Sequence, residues 1–268
     1  MNAQFKNVAA ITTLACALAP TASLAGDEWD VGLSIYGYFP DISGRTQFPV
    51  GAGTDFDIGI DSILDNLELT FQGNFDIRKD RLGVFTDVIY LDVGNNKSQA
   101  FDGTVGGTPL PAEAEANADV NVKALIWTTS AYYRLFEQQR GSLDLMVGVR
   151  YSDIKQQLAW NLEGSLVGIA LPGRTGSRSV STSYLDGIVG VRGRAALGDG
   201  NHWFIPYYAD IGTGDSDLTW QAAAGVGYAF GWGEMSAGWR YVAYDMASGK
   251  PVRDLTLSGP QIGAAFRW

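Results

Sequence analysis

Cysteine is nearly absent from this chain of 268 residues: the one copy is Cys16, inside a segment expected to be removed. That leaves no disulfide, no thiol nucleophile and no cysteine-held metal in the remainder. Histidine is as scarce, with His202 alone available as an imidazole base or ligand. Cations are in the minority, 19 Lys+Arg against 29 Asp+Glu, and they form no basic stripe, which argues against nucleic acid as a partner. Beyond the first 25 residues no apolar run reaches the roughly eighteen residues of a membrane helix. No glycine-rich phosphate loop precedes a helical pattern, and no acidic stretch follows a calcium-loop spacing, including Asp55, Asp57 and Asp61 or Asp210, Asp215 and Asp217. No cofactor is expected.

Residues 1–25 carry Lys6, a short apolar run over 8–18 and small residues at Ser23 and Ala25 before Gly26, the pattern of a secretory signal peptide. An amphipathic N-terminal helix is the alternative. Thr13-Leu14-Ala15-Cys16 departs from a lipidation box at its first position, and the apolar run continues past the cysteine. Residues 26–268 are expected to form one domain.

What the chain has is alternation. Over 66–77, Leu67, Leu69, Phe71, Gly73, Phe75 and Ile77 share one phase, and Asn66, Glu68, Thr70, Gln72, Asn74 and Asp76 the other. Period two over twelve residues is a strand with one apolar and one polar face. The pattern recurs at Leu143, Leu145, Val147, Val149 and Tyr151, and at Trp220, Ala222, Ala224, Val226, Tyr228 and Phe230. The opposing residues of that last segment are small, which suits a narrow, filled lumen. Twelve per cent aromatics and 34 glycines accord with an all-β chain.

Ten strands are predicted, at 29–39, 66–77, 82–92, 120–136, 142–156, 183–197, 202–212, 217–230, 234–245 and 256–268. The gaps between them run 26, 4, 27, 5, 26, 4, 4, 3 and 10 residues, so every even-numbered gap is a tight turn and every long one falls at an odd position. Long loops on one side and short turns on the other are the signature of a transmembrane antiparallel up-and-down β-barrel, of about ten strands, with eight or twelve as alternatives. A soluble exported barrel is the rival fold. Aromatics beside turns, among them Trp29, Tyr36, Tyr38, Phe39, Tyr132, Tyr133, Trp203, Tyr228 and Trp232, are read as interfacial girdles. Loops 40–65, 93–119 and 157–182 would face outward, and the spacing over 56–67 fits a short amphipathic helix, either a plug in the barrel mouth or an ordered piece of loop.

The strand phase assigns Glu68, Asp87, Asp144, Asp186 and Asp210 to the lumen with Arg150, Arg192, Arg194 and Arg240. Enclosed charges are costly unless paired, so opposite signs are expected to interdigitate, with Arg192 and Asp210 inward on neighbouring strands. The alternative is a polar path that selects solutes. An enzyme is not expected: a base at the outer rim is missing, and His202 follows the tight turn 198–201 at the other end.

The chain ends with Ile262, Ala264, Phe266 and Trp268 in one phase. Here it resembles the C-terminal assembly signal of Gram-negative outer-membrane barrels. Ile63-Leu64-Asp65-Asn66-Leu67, Gly83-Val84-Phe85-Thr86-Asp87, Gly190-Val191-Arg192-Gly193-Arg194, Tyr208-Ala209-Asp210-Ile211-Gly212, Asp217-Leu218-Thr219-Trp220-Gln221 and Gly238-Trp239-Arg240-Tyr241 resemble a family of small proteobacterial outer-membrane barrels. The resemblance implies outer-membrane lipid and the assembly machinery as partners. It implies no activity, since members mostly lack an assigned one. Two roles follow as expectations: a structural or surface-interaction barrel acting through its long loops, or a low-conductance channel for small polar solutes.

Overall fold

Backbone pairing follows the period-two pattern and extends beyond it. A computed structural model of the protein describes residues 29–46, 54–60, 67–95, 104–105, 108–109, 115–138, 140–166, 169–198, 200, 202–246 and 252–268. Residues 1–25, with Cys16, lie outside the described residues, as do 61–66. The strands are β1 (Trp29–Tyr38), β2 (Asp41–Thr46), β3 (Thr54–Ile58), β4 (Leu67–Lys79), β5 (Leu82–Asn95), β6 (Thr104–Val105), β7 (Thr108–Pro109), β8 (Glu115–Gln138), β9 (Gly141–Leu166), β10 (Ile169–Leu197), β11 (Trp203–Gly214), β12 (Ser216–Ala229), β13 (Glu234–Met246) and β14 (Val252–Arg267).

Ten of these form a closed antiparallel barrel in the order β1-β4-β5-β8-β9-β10-β11-β12-β13-β14, with β14 returning to β1. Closure runs from Gly32↔Arg267 to Tyr38↔Gln261, and Val31 and Trp268 exchange backbone hydrogen bonds of 2.9 and 3.0 Å at the end of the seam. Every backbone edge in the ring is thereby paired. The tight turns after β4, β8, β10 and β12 share one end with Trp29 and Trp268. Asp80 takes a left-handed φ of 55° in the first of them, and Gly198 one of 73° in the third, where Asp and Gly tolerate it best.

Three expectations are corrected at the opposite end. First, 56–58 is strand rather than helix: β3 pairs with β2 from Ile42↔Ile58 to Thr46↔Thr54, a rim hairpin that satisfies the backbone in strand form, while Ile60 is helical and the rest of the expected helix, 61–66, lies outside the described residues. Second, 157–182 is mostly strand, with β9 and β10 paired as far as Ile169↔Leu166. Third, β8 starts at Glu115 rather than 120 and opposes β9 up to Glu115↔Glu163. Backbone pairing there continues over residues whose sequence carries no period-two trace.

Outside, the wall is apolar. Ile35, Phe71, Val84, Leu145, Val147, Val149, Leu185, Val189, Ile211, Val226 and Ile262 are all exposed, a continuous belt too large for a water-facing surface. At the short-turn end a chain of ring contacts links Trp203, Tyr228, Phe230, Trp232 and Phe266. Higher up, Trp220 stacks on Tyr241 with centroids 4.6 Å apart. Trp220 and Phe230 lie ten residues apart on one strand, which at barrel tilt spans roughly 25 Å, the height of an outer-membrane apolar band. Tyr36, Tyr38 and Tyr132 are not girdle residues: strand parity turns them inward, and Tyr38 and Tyr132 are buried.

Candidate functional site

The lumen is stratified. Its outer half is apolar: Tyr38, Ile42, Ile89, Leu91, Ile126, Ile154, Tyr184, Val242, Tyr244, Met246, Leu255 and Leu257 form one buried cluster. Side chains from β1, β2, β5, β8, β9, β10, β13 and β14 thus converge into a stopper across the barrel. This explains why 82–92 and 120–136 alternate poorly in sequence: their outer halves are apolar on both faces, one toward the stopper and one toward the belt. Polar atoms here form pairs across the lumen, as in Ser152 Oγ with Tyr244 OH at 2.7 Å and Tyr38 OH donating to Leu257 O at 2.9 Å.

Beneath the stopper lie charged layers. Arg150, fully buried, reaches from β9 across the lumen and donates through Nε to Thr128 Oγ1 (3.2 Å), through Nη1 to Thr219 Oγ1 (3.1 Å), and through Nη2 to Gln221 Oε1 (3.1 Å) and to Asp210. Tyr208 OH donates to the same Asp210 oxygen. A guanidinium taken out of water is tolerable only when its donors are spent in this way. Arg240 on β13 meets Asp87 on β5 at 3.1 Å and donates to Tyr36 OH at 2.8 Å, while Tyr36 donates to the other Asp87 oxygen at 2.6 Å.

A third layer joins Arg192 to Asp76 and, at 3.3 Å, to Asp144. Arg134 grips Asp144 through Nε at 2.7 Å and Nη2 at 3.1 Å. The Arg192 guanidinium stacks between Phe85 and Tyr132, 4.4 and 4.2 Å from their ring centroids, and Tyr132 donates to Asp76 at 3.0 Å. Three times, then, a carboxylate receives one arginine and one tyrosine.

The short-turn mouth carries its own ion pairs. Here Arg194 pairs with Glu234 and Arg78 pairs with Asp30 (2.5 Å) and Glu137 (3.3 Å). A cavity of about 210 Å³ opens among Asp30, Arg134, Glu137, Arg194 and Arg267.

Of the residues picked from sequence, the structure brings Asp87 to Arg240, Asp144 to Arg192 and Asp210 to Arg150. Arg192 and Asp210 are both inward on β10 and β11 but take different partners. Asp186 is held not by a cation but by Ser216, through its backbone N–H at 2.8 Å and its hydroxyl at 2.9 Å. The Glu68 side chain lies outside the described residues. Sequence reasoning passed over Asp76, Arg134 and Glu234, and the tyrosines Tyr36, Tyr132 and Tyr208. Parity would have found Asp76, which shares the polar phase of 66–77. His202 lies on the outside at the turn end, stacked on Tyr228 at 5.7 Å. Ile262, Ala264, Phe266 and Trp268 share the outer phase of the final strand, with Ile262 and Trp268 exposed.

Belt, turns and closure define the class: a ten-stranded up-and-down barrel of the outer-membrane type. No protein-family model matches the chain, and no curated protein matches it by sequence. Among solved structures, the outer membrane protease OmpT of Escherichia coli is similar over 92% of this chain and 99% of its own, with a TM-score of 0.52 and 10% identity. The attachment invasion locus protein Ail of Yersinia pestis, solved with the heparin analogue sucrose octasulfate, covers 90% of this chain and 99% of its own at 14% identity and a TM-score of 0.33. The translocator domain of autotransporter NalP from Neisseria meningitidis covers 92% and 90% at 16% identity and a TM-score of 0.41. At these identities the likeness is one of fold, carried by the first.

Proposed function

We propose that this protein resides in the outer membrane as a sealed barrel, with a structural or surface-interaction role exercised through its outer strands. The carrying observation is the twelve-residue apolar stopper resting on the Arg150 layer. Permeation past it would strip a solute's water against aliphatic and aromatic side chains and then meet a guanidinium whose donors are spent. The short turns face the periplasm. β9 runs fifteen residues beyond Tyr151, roughly 50 Å along the strand, so the β8–β9–β10 sheet presents a long ledge outside the membrane. The belt meets outer-membrane lipid, and Ile262, Ala264, Phe266 and Trp268 on the last strand address the assembly machinery. No catalytic step belongs to this reading.

Conductance tests it. Mature protein refolded into a planar bilayer, with insertion verified by protease protection, is expected to be silent, both as wild type and as Arg192→Ala. Discrete, sustained openings of the wild-type barrel would establish a channel instead.

A further inference from the structure

We propose that the short-turn mouth of the lumen binds the oxyanion of a small solute, a phosphate or carboxylate group, between Arg194 and Arg267. Which hydrogen-bonding groups at the mouth remain uncommitted identifies the ligand. Each carboxylate there already accepts from a guanidinium: Asp30 from Arg78 at 2.5 Å, Glu137 from Arg134 at 2.9 Å and Arg78 at 3.3 Å, and Glu234 from Arg194. Two guanidinium groups keep donors in reserve among the described residues. Arg194 donates one hydrogen bond, from Nη1, and its plane is fixed over Phe204 with 4.0 Å to the ring centroid. Arg267 stands 4.0 Å from Asp30 Oδ1, beyond hydrogen-bond reach, and its side chain is half exposed. A guanidinium offers five N–H donors in a planar fork that suits an oxyanion, so both retain donors toward the 210 Å³ cavity they line. Ser142 adds a hydroxyl to the same wall.

Charge sets the mode of binding. In the inner half of the lumen Arg78, Arg134, Arg192, Arg194 and Arg267 are balanced by Asp30, Asp76, Glu137, Asp144 and Glu234, so no long-range field draws anions in. Recognition instead comes from directed, charge-assisted hydrogen bonds. The site rests on the sealed-barrel reading in one respect: with the outer end stoppered, the solute enters and leaves through the short-turn mouth.

The test uses full-length mature barrel in a phosphate-free detergent, with folding certified for each variant by the gel shift on heating. Inorganic phosphate is titrated at constant ionic strength against chloride and followed by its ³¹P line width. Acetate, followed by saturation-transfer NMR, serves as the carboxylate arm. Arg194→Gln and Arg267→Gln are compared with Arg45→Gln, which removes the same charge at the opposite rim. Saturable binding is expected in wild type and Arg45→Gln, weakened about tenfold in each mouth variant, the scale of one lost charge-assisted hydrogen bond. Saturation by phosphate alone or acetate alone assigns the group. Broadening that never saturates, or that is equal in all four proteins, overturns the site whether or not the barrel conducts.

Discussion

Replacing Arg150 by Met removes the buried cation that ties β9 to β8, β11 and β12. The side chain is fully buried, as is that of its partner Asp210. The substitution strands a carboxylate beneath an apolar stopper, with only Tyr208 still donating to it. Breaking a buried pair by deleting one partner costs about 3–5 kcal/mol, chiefly because the remaining charge is left without compensation. The lost bonds to Thr128, Thr219 and Gln221 fall within that figure rather than adding to it. Adding Asp210→Asn neutralises the stranded charge while keeping an acceptor for Tyr208, so the double variant is expected to recover more than half of the loss. Urea unfolding in lipid vesicles, read by tryptophan fluorescence and by the gel shift on heating, measures both. Loss below about 1 kcal/mol in the single variant, or no recovery in the double, would refute the view that Arg150 is held by paired charge in a dry lumen.

Two further predictions use the same assay. In the Arg240–Asp87–Tyr36 layer, Tyr36→Phe removes two hydrogen bonds to charged partners and is expected to cost about 1.5–3 kcal/mol, less than Arg240→Ala, which leaves Asp87 unpaired at about 3–5 kcal/mol; equal losses would show that the tyrosine, not the ion pair, anchors that layer. On the outside, Val147→Lys places a cation in the middle of the belt, at a position 60% exposed, and is expected to cost about 2–4 kcal/mol of insertion stability in lipid. An unchanged value would mean that the belt does not face hydrocarbon.

Which parts were legible in the sequence depends on what each physical signal can carry. Alternation at Leu143, Leu145, Val147 and Val149 marks the outer face because a strand's side chains point to opposite sides in strict turn. The same rule put Arg150, Arg192, Arg194 and Arg240 inside. It failed for Tyr36 and Tyr132, which were judged by closeness to turns instead of by phase. It is silent over 157–182, where β9 and β10 pair although the sequence does not alternate, and over 56–58, which pairs with β2 although its apolar spacing also fits a helix.

The sequence by itself determined the strand phases, the tight turns, the even strand count and the inward placement of charge, because each follows from period-two geometry or from the turn chemistry of glycine and polar residues along a few positions. Only the tertiary structure decided who meets whom across the lumen. Arg192 finds Asp76, 116 residues away, and Arg240 finds Asp87, 153 away. Those distances depend on how far successive strands are staggered as the sheet closes. Stagger is set jointly by every ladder around the ring, and no local pattern records it. The apolar stopper belongs to the same class of fact: each strand contributes one to three residues, and they become a seal only where eight strands converge.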